Sequence, residues 1–330
     1  MPVRHAFSMF SPAGTHGRLS ITIFHRVLER PDPSSPSLPD LEQFDRQLRW
    51  LKSAFEVLPL GPAIERLRAG TLPARAAAIT FDDGYADNVT CALPMLQRHG
   101  LHATFFISTG YLDGAVMWND ILAAAIHRSQ RAALDATPAG QGMIDLPADV
   151  SARIAIEDRL NHAVKHLPFD ERARVVDALR RHAGVASPSG LMMSRAQLHA
   201  LHRAGMGIGA HTVSHPILAR CEPEQAWREI TDGAEALRCE LGTAIELFAY
   251  PNGRPDLDYT ADHVRMVRDA GFAAAVTTAT GAARHGDDLY QLPRFTPWDR
   301  NRWKYTARLL QNLRRVHAVA GPAGSALGRA

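Results

Sequence analysis

Lysine is nearly missing from this 330-residue chain: it occurs only at positions 52, 165 and 304, so 34 of the 37 basic residues are arginine. With a formal net charge of +3, that bias reads as genomic base composition, and no nucleic-acid function follows from it. Cysteine is equally scarce. Cys91, Cys221 and Cys239 form an odd, scattered set without metal-ligand spacing, which argues against a disulfide framework and for small core residues. No segment approaches the roughly 20 apolar residues of a membrane-spanning helix. Met1 to Arg18 holds no apolar stretch of signal-peptide length, because Pro2, Arg4, His5, Pro12, Gly14, His16 and Gly17 interrupt it. The expectation is a cytoplasmic protein without internal repeats. What is abundant is core material: 46% hydrophobic against 22% charged residues suits one elaborated α/β domain.

Strand-like and helix-like segments alternate, the pattern of a parallel barrel. After an arm over residues 1–18, Leu19 to Phe24 alternates as a strand and runs into His25-Arg26-Val27. Pro31 to Pro39 is a Pro/Ser loop, and Phe44, Leu48, Leu51 and Phe55 mark an amphipathic helix. A helix through Val89, Leu93 and Leu96 stops at Gly100, and a strand covers Ala103 to Ile107. From about 118 to 193 consecutive helical stretches replace the alternation, a helical insertion that serves either as lid or recognition segment or as padding. Ser194 caps a short helix before a strand at Gly207 to Ala210. Beyond it the spacing predicts helices at Glu224 to Leu241 and Tyr259 to Ala270. Strands are predicted at Leu247 to Tyr250, Ala273 to Thr277 and Leu289 to Phe295. A basic helix from Arg302 to Val316 carries Arg302, Lys304, Arg308, Arg314 and Arg315. It leaves peripheral contact with a membrane or lipid-linked glycan open beside the plainer reading of a solvated face. Residues 317–330 are Ala/Gly-rich and expected to be disordered.

Chemistry concentrates at Thr80-Phe81-Asp82-Asp83-Gly84-Tyr85, where two carboxylates follow the apolar run Ala76-Ala77-Ala78-Ile79. Carboxyl ends of parallel strands are where ligands gather in α/β folds. Adjacent strand residues point to opposite faces, so Asp82 and Asp83 serve one cleft only if the turn at Gly84 swings one of them back. The second cluster, His211-Thr212-Val213-Ser214-His215, follows the strand at 207–210. Two imidazoles and one carboxylate fit a hydrolytic divalent-metal site that leaves a position for water. Pro216 disfavours helix at His215 and suits a helix beginning after it. Either motif alone is equally compatible with a solvated turn or a helix cap.

These residues, with Phe248-Ala249-Tyr250-Pro251-Asn252-Gly253, resemble in order the polysaccharide deacetylases, the NodB-homology or family-four carbohydrate esterases, over about residues 19 to 297. The third motif is similar to the branch of exopolysaccharide and poly-N-acetylglucosamine deacetylases. The resemblance implies an α/β fold, a distorted (β/α)7-type barrel over 19–316 with the insertion at about 118–193. It implies removal of N-acetyl groups from amino sugars, with Asp82 as base, and Asp83, His211 and His215 holding one divalent ion. Zinc leads, and cobalt, nickel and manganese tolerate the same ligands. Pro251 would fix the turn that leaves the Asn252 N–H free to join in stabilising the oxyanion, while Tyr85, Trp118 and Trp298 offer faces for a sugar or are simply packing. Two departures stand out. The family's arginine is replaced by Ala249, with Arg294 the candidate substitute or else a structural salt bridge. The late Leu-x-His is missing, with His25 the candidate general acid or else a buried core residue. An amidase of the same fold and a non-catalytic glycan-binding or assembly protein are the competing readings.

Overall fold

The computed structural model describes residues 2–321. In chain order it contains α1 (Pro2–Phe10), β1 (Arg18–Phe24), α2 (Leu41–Ala54), β2 (Glu56–Val57), α3 (Leu60–Ala69), β3 (Ala76–Phe81), α4 (Leu93–His99) and β4 (Thr104–Ile107). There follow α5 (Trp118–His127), β5 (Ala133–Asp135), β6 (Met143–Asp145), α6 (Val150–Lys165) and α7 (Phe169–Ala183). The last part holds α8 (Arg195–Arg203), β7 (Gly207–Ala210), α9 (Pro223–Leu241), β8 (Leu247–Ala249), α10 (Ala261–Asp269), β9 (Ala274–Val276), β10 (Ala283–Arg284), β11 (Arg294–Phe295) and α11 (Arg302–Arg314). The chain divides into two compact units, one of them Pro31–Ser37 with Asp113–Met192. In that unit α5, α6 and α7 bury Leu122, Ile126, Leu160, Val176 and Leu179 with an antiparallel β5–β6 hairpin, turning through Pro138, Gly140 and Gly142, that the all-helical reading of 118–193 passed over. Arg172 lies over the Trp118 ring there, 5.0 Å from its centroid.

The other unit is the barrel. Parallel strands run in the order β1, β3, β4, β7, β8, β9. The chain from Leu292 to Phe295 closes the ring, since Leu292 bridges Val276 and β11 pairs in parallel with β1. This gives a distorted seven-stranded (β/α) barrel. Paired residues in parallel strands face the same side, so register decides what lines the interior. Ile21 pairs with Ala78 and with Arg294, Phe106 with Gly209, and Ala249 with Val276. These face inward. Ile79, Phe81, Phe105, Phe248 and Ala275 face outward into the larger core beneath the helices. Continuing the alternation from Phe24 paired with Phe81, His25 and Asp82 reach the carboxyl-end rim on the inner side.

Several expectations change. The N-terminal arm is helix α1, whose Phe7 is buried and packs edge-on against Phe55 at 4.8 Å. The predicted helix after Asp83 begins as a π-turn at Asn88–Ala92 before α4, and Gly100 caps it in the left-handed conformation. No helix starts directly after Pro216; a short 3-10 turn at Leu218–Arg220 precedes α9. Leu289–Gln291 is a 3-10 turn, because the Asp288 carboxylate caps Tyr290 N–H and bends the chain out of the sheet. Residues 317–321 are ordered, with Ala320 buried and its N–H donating to Gln291 Oε1 at 2.6 Å; residues 322–330 lie outside the described residues. Among the described residues no helix is long and apolar enough to cross a membrane.

Gly209 shows how tightly the barrel interior is filled. A Cβ there would sit 2.4 Å from the Phe106 ring and 2.9 Å from Leu247 O. Gly209→Ala is therefore expected to cost about 1–3 kcal/mol by overpacking, read as a lower denaturant midpoint at unchanged slope. An unchanged midpoint would mean that Phe106 has room to move.

Candidate active site

Asp82 and Asp83 reach the same cleft because the backbone reverses between them. Asp83 adopts φ 76° and Gly84 φ 92°, left-handed values that turn the second carboxylate back over the barrel mouth. Ser108 N–H donates to Asp83 O, and Met193 N–H to Gly84 O, fixing the turn. Asp82 is 2% and Asp83 6% exposed.

The Asp82 carboxylate is held by Arg294, which rises from two levels deeper in the barrel. Its Nη1 donates to Asp82 Oδ1 at 2.7 Å and its Nη2 to Oδ2 at 2.6 Å. Its remaining donors go to Thr80 Oγ1 at 3.2 Å and Thr277 O at 2.8 Å. Arg294 is only 1% exposed, and its guanidinium lies over Phe106. Ala249 faces the same interior and is fully buried. Burial opposes ionisation of Asp82, yet the Arg294 charge, then His211 and the Arg294 hydrogen bonds, outweigh it and hold the carboxyl below its ordinary range. Arg294 and Ala249 thus line the same interior, with the guanidinium seated against Asp82.

Across the mouth, Asp83 Oδ1 lies 3.4 Å from His211 Nε2 and 3.4 Å from His215 Nε2. The three ligand atoms fall within 4.8 Å of one another. Asp83 Oδ1 is buried yet has no hydrogen-bond partner. His211 Nδ1 is 2.7 Å from Ala249 O, so it donates there and leaves Nε2 to face the carboxylate. Burial pushes His215 down to about 4 despite the Asp83 charge, which keeps its lone pair available near neutrality. An orphaned carboxylate oxygen between two imidazole nitrogens is a donor set that fits a divalent cation.

The remaining candidates fall into place unevenly. His25 is exposed, which removes the buried-core reading, and its charge acts on Asp82, Asp83 and His215. Pro251 is buried, while Asn252 takes φ 59° and Gly253 φ 71°. Thr278 pins that turn, its Oγ1 donating to Asn252 O at 2.5 Å and its N–H to Gly253 O. The Asn252 N–H has no acceptor among the described residues. Tyr85 is a correction: it is 3% exposed, and Arg26 lies 4.7 Å over its ring, so it forms wall rather than an open stacking face. Trp298 is exposed with Arg308 over it at 4.9 Å. The two polar residues where the π-turn starts also carry long-range bonds. Asp87 accepts from Arg26 Nε at 2.7 Å and Val27 N–H at 3.3 Å, and buried Asn88 donates to His25 O at 2.8 Å. Together they staple the His25 segment to the loop after Asp83. A polar pair on the buried side of an expected helix was the available signal.

A profile of the family described as Polysaccharide deacetylase matches residues 69–138 and 159–275. YxkH of Bacillus subtilis (strain 168), which carries a polysaccharide deacetylase name, is 21% identical over 279 residues, 84% of this chain and 70% of that one. Among solved structures, deacetylase PplD of Streptococcus pyogenes in complex with acetate superposes with TM-score 0.59 at 19% identity, over 90% of this chain and 99% of its own. IcaB from Ammonifex degensii gives 0.58 at 18% identity, over 92% and 99%. At these identities the structural likeness is one of fold.

Removing one partner of the buried pair leaves the other uncompensated. Arg294→Ala is expected to cost about 3–5 kcal/mol near neutral pH. The lowered Asp82 carboxyl contributes stability above the ordinary value of 3.8 and loses it as pH falls through its own lower value. The gap between wild type and variant should accordingly narrow in denaturation curves recorded below about pH 4. A pH-independent gap would assign the loss to packing instead.

Proposed function

The chain belongs to the polysaccharide deacetylase family, whose profile spans more than half of it, and from that premise we propose that it hydrolyses N-acetyl groups on N-acetylated amino sugars. The products are acetate and a free amine on a polysaccharide, an oligosaccharide or a lipid-linked glycan. The observation that carries the reading is the unpartnered Asp83 Oδ1 facing both imidazole Nε2 atoms beside a second, arginine-held carboxylate.

Asp83, His211 and His215 would hold the cation, zinc first, with cobalt, nickel or manganese suited to the same donors. When bound, such an ion makes water more acidic and polarises a carbonyl. Asp82 takes the proton from the attacking water. Arg294 keeps Asp82 ionised and orients both its oxygens, each of which retains a lone pair for that proton. The Asn252 N–H, in the turn that Pro251 starts and Thr278 pins, donates to the oxyanion. His25, on the rim level with Asp82, protonates the departing amine. Tyr85 supports this wall without touching the sugar.

A cation at Asp82 and a histidine at the rim weigh against a non-catalytic binding protein, since the two departures from the family pattern are those that Arg294 and His25 can make good. A cytoplasmic site of action on a glycan precursor rests on the sequence alone. Peripheral membrane contact draws support from exposed Arg302, Lys304 and Arg314 on α11 and Arg315 just after it; Arg308 is instead paired with Asp299 at 3.1 Å.

Acetate release from N-acetylglucosamine oligomers is expected to vanish after chelator treatment and to return with zinc or cobalt. Cyclic amides, tested alongside, should remain intact. Tight metal binding without acetate release would overturn the reading, and cleavage of the cyclic amides alone would favour an amidase.

A further inference from the structure

The loop carrying both histidines is held by a helix that contributes no ligand. Between His211 and His215 the backbone is strained: Thr212 has φ 65° and His215 φ 53°, conformations that a β-branched residue and an imidazole rarely adopt. Thr212 Oγ1 stabilises them from within, donating to His211 O at 2.5 Å and accepting from His215 N–H at 3.1 Å. The rest comes from α9. Glu229 Oε2 accepts the N–H groups of Val213 at 2.9 Å and Ser214 at 2.8 Å, and its Oε1 accepts Ser214 Oγ at 2.6 Å. One turn further, on the same face of the helix, Gly233 meets Thr212 so closely that a Cβ would lie 2.8 Å from its carbonyl carbon and 2.9 Å from its oxygen. Helix and loop are thus joined by three hydrogen bonds and a contact that only glycine allows.

We infer that Glu229 and Gly233 are positioning residues that fix the His211 and His215 imidazoles for cation binding. The inference rests on the reading of Asp83, His211 and His215 as the ligands. Released from Glu229, Val213 and Ser214 lose the acceptor for two backbone donors, and the left-handed turn has less to hold it. His215 sits at the end of that turn, half-buried, so relaxation there moves its Nε2 away from Asp83 Oδ1. His211 is anchored separately through Ala249 O and the strand pairing of β7. The weak member of the pair is therefore His215.

The test is a Co2+ titration of chelator-treated protein, followed by visible absorption and by competition with a chelating indicator, alongside melting of the metal-free protein. Glu229→Ala is expected to weaken Co2+ binding about 10–100-fold, the range for residues that orient ligands, and to change the ligand-field bands. Glu229→Gln can still accept from both N–H groups and donate to Ser214 Oγ, so it should remain close to wild type. Gly233→Ala should fall with Glu229→Ala. A merely structural role would lower the melting temperature and leave affinity and bands alone, which would overturn the inference. Should Glu229→Ala fail to fold, Ser214→Ala removes one of the three bonds: weaker Co2+ binding at an intact melt supports the inference, and unchanged binding overturns it. Wild-type protein that takes up no Co2+ would sink the ligand reading, and this inference with it.

Discussion

A buried carboxylate in a barrel of apolar side chains exists only because a buried arginine reaches it. An unpaired charge at Asp82 would cost several kcal/mol of desolvation, and the carboxyl would protonate instead. Arg294 prevents this with a bidentate pair, and its other donors spread the effect. Through Thr277 O it ties the end of β9 to β11, and through Thr80 and Asp82 it ties β11 to β3 across β1. The guanidinium therefore straps the seam where the barrel closes by the isolated bridge between Val276 and Leu292. The buried charge pair and closure of the fold are one interaction.

Around that pair the backbone is deliberately unrelaxed. Asp83, Thr212, His215 and Asn252 all have positive φ, each at a cost on the order of 1–3 kcal/mol. They persist because neighbours over-determine them: Ser108 and Met193 at the first turn, Glu229 and Gly233 at the second, Thr278 at the third. Strain of this kind, gathered at three strand ends of one barrel, is what brings polar atoms to the mouth without filling it.

The sequence disclosed β1, β3, β4, β7, β8 and β9 and the Asp and His motifs because each is local. Ala76 to Asp83 and Gly207 to His215 carry their own pattern of apolar run, turn residue and donor, and Gly100 marked its helix end by the left-handed cap it provides. What it did not disclose depends on register between distant segments. That Arg294 reaches Asp82 follows from Ile21 pairing with both Ala78 and Arg294, a three-strand relation that no single window contains; the chain offered Arg294 only as a candidate. Tyr85 looked available because Arg26, 59 positions earlier in the chain, is not visible as its cover. Glu229 gave no signal, since a glutamate in the middle of an amphipathic helix reads as solvated. The bonds of Asp87 and Asn88 to residues 25–27 were hidden in the same way, since the helix start they form accounts for both residues locally.

The claim that Arg294 acts through Asp82 is tested most directly by a double-mutant cycle on kcat/KM for acetate release, using Asp82→Asn, Arg294→Ala and the double variant. If the arginine works only by holding the base, adding Arg294→Ala to Asp82→Asn costs little more than Asp82→Asn alone, because the two losses overlap. Losses that multiply in full would show that the two residues act independently, and the pair would no longer be the interaction on which the site depends.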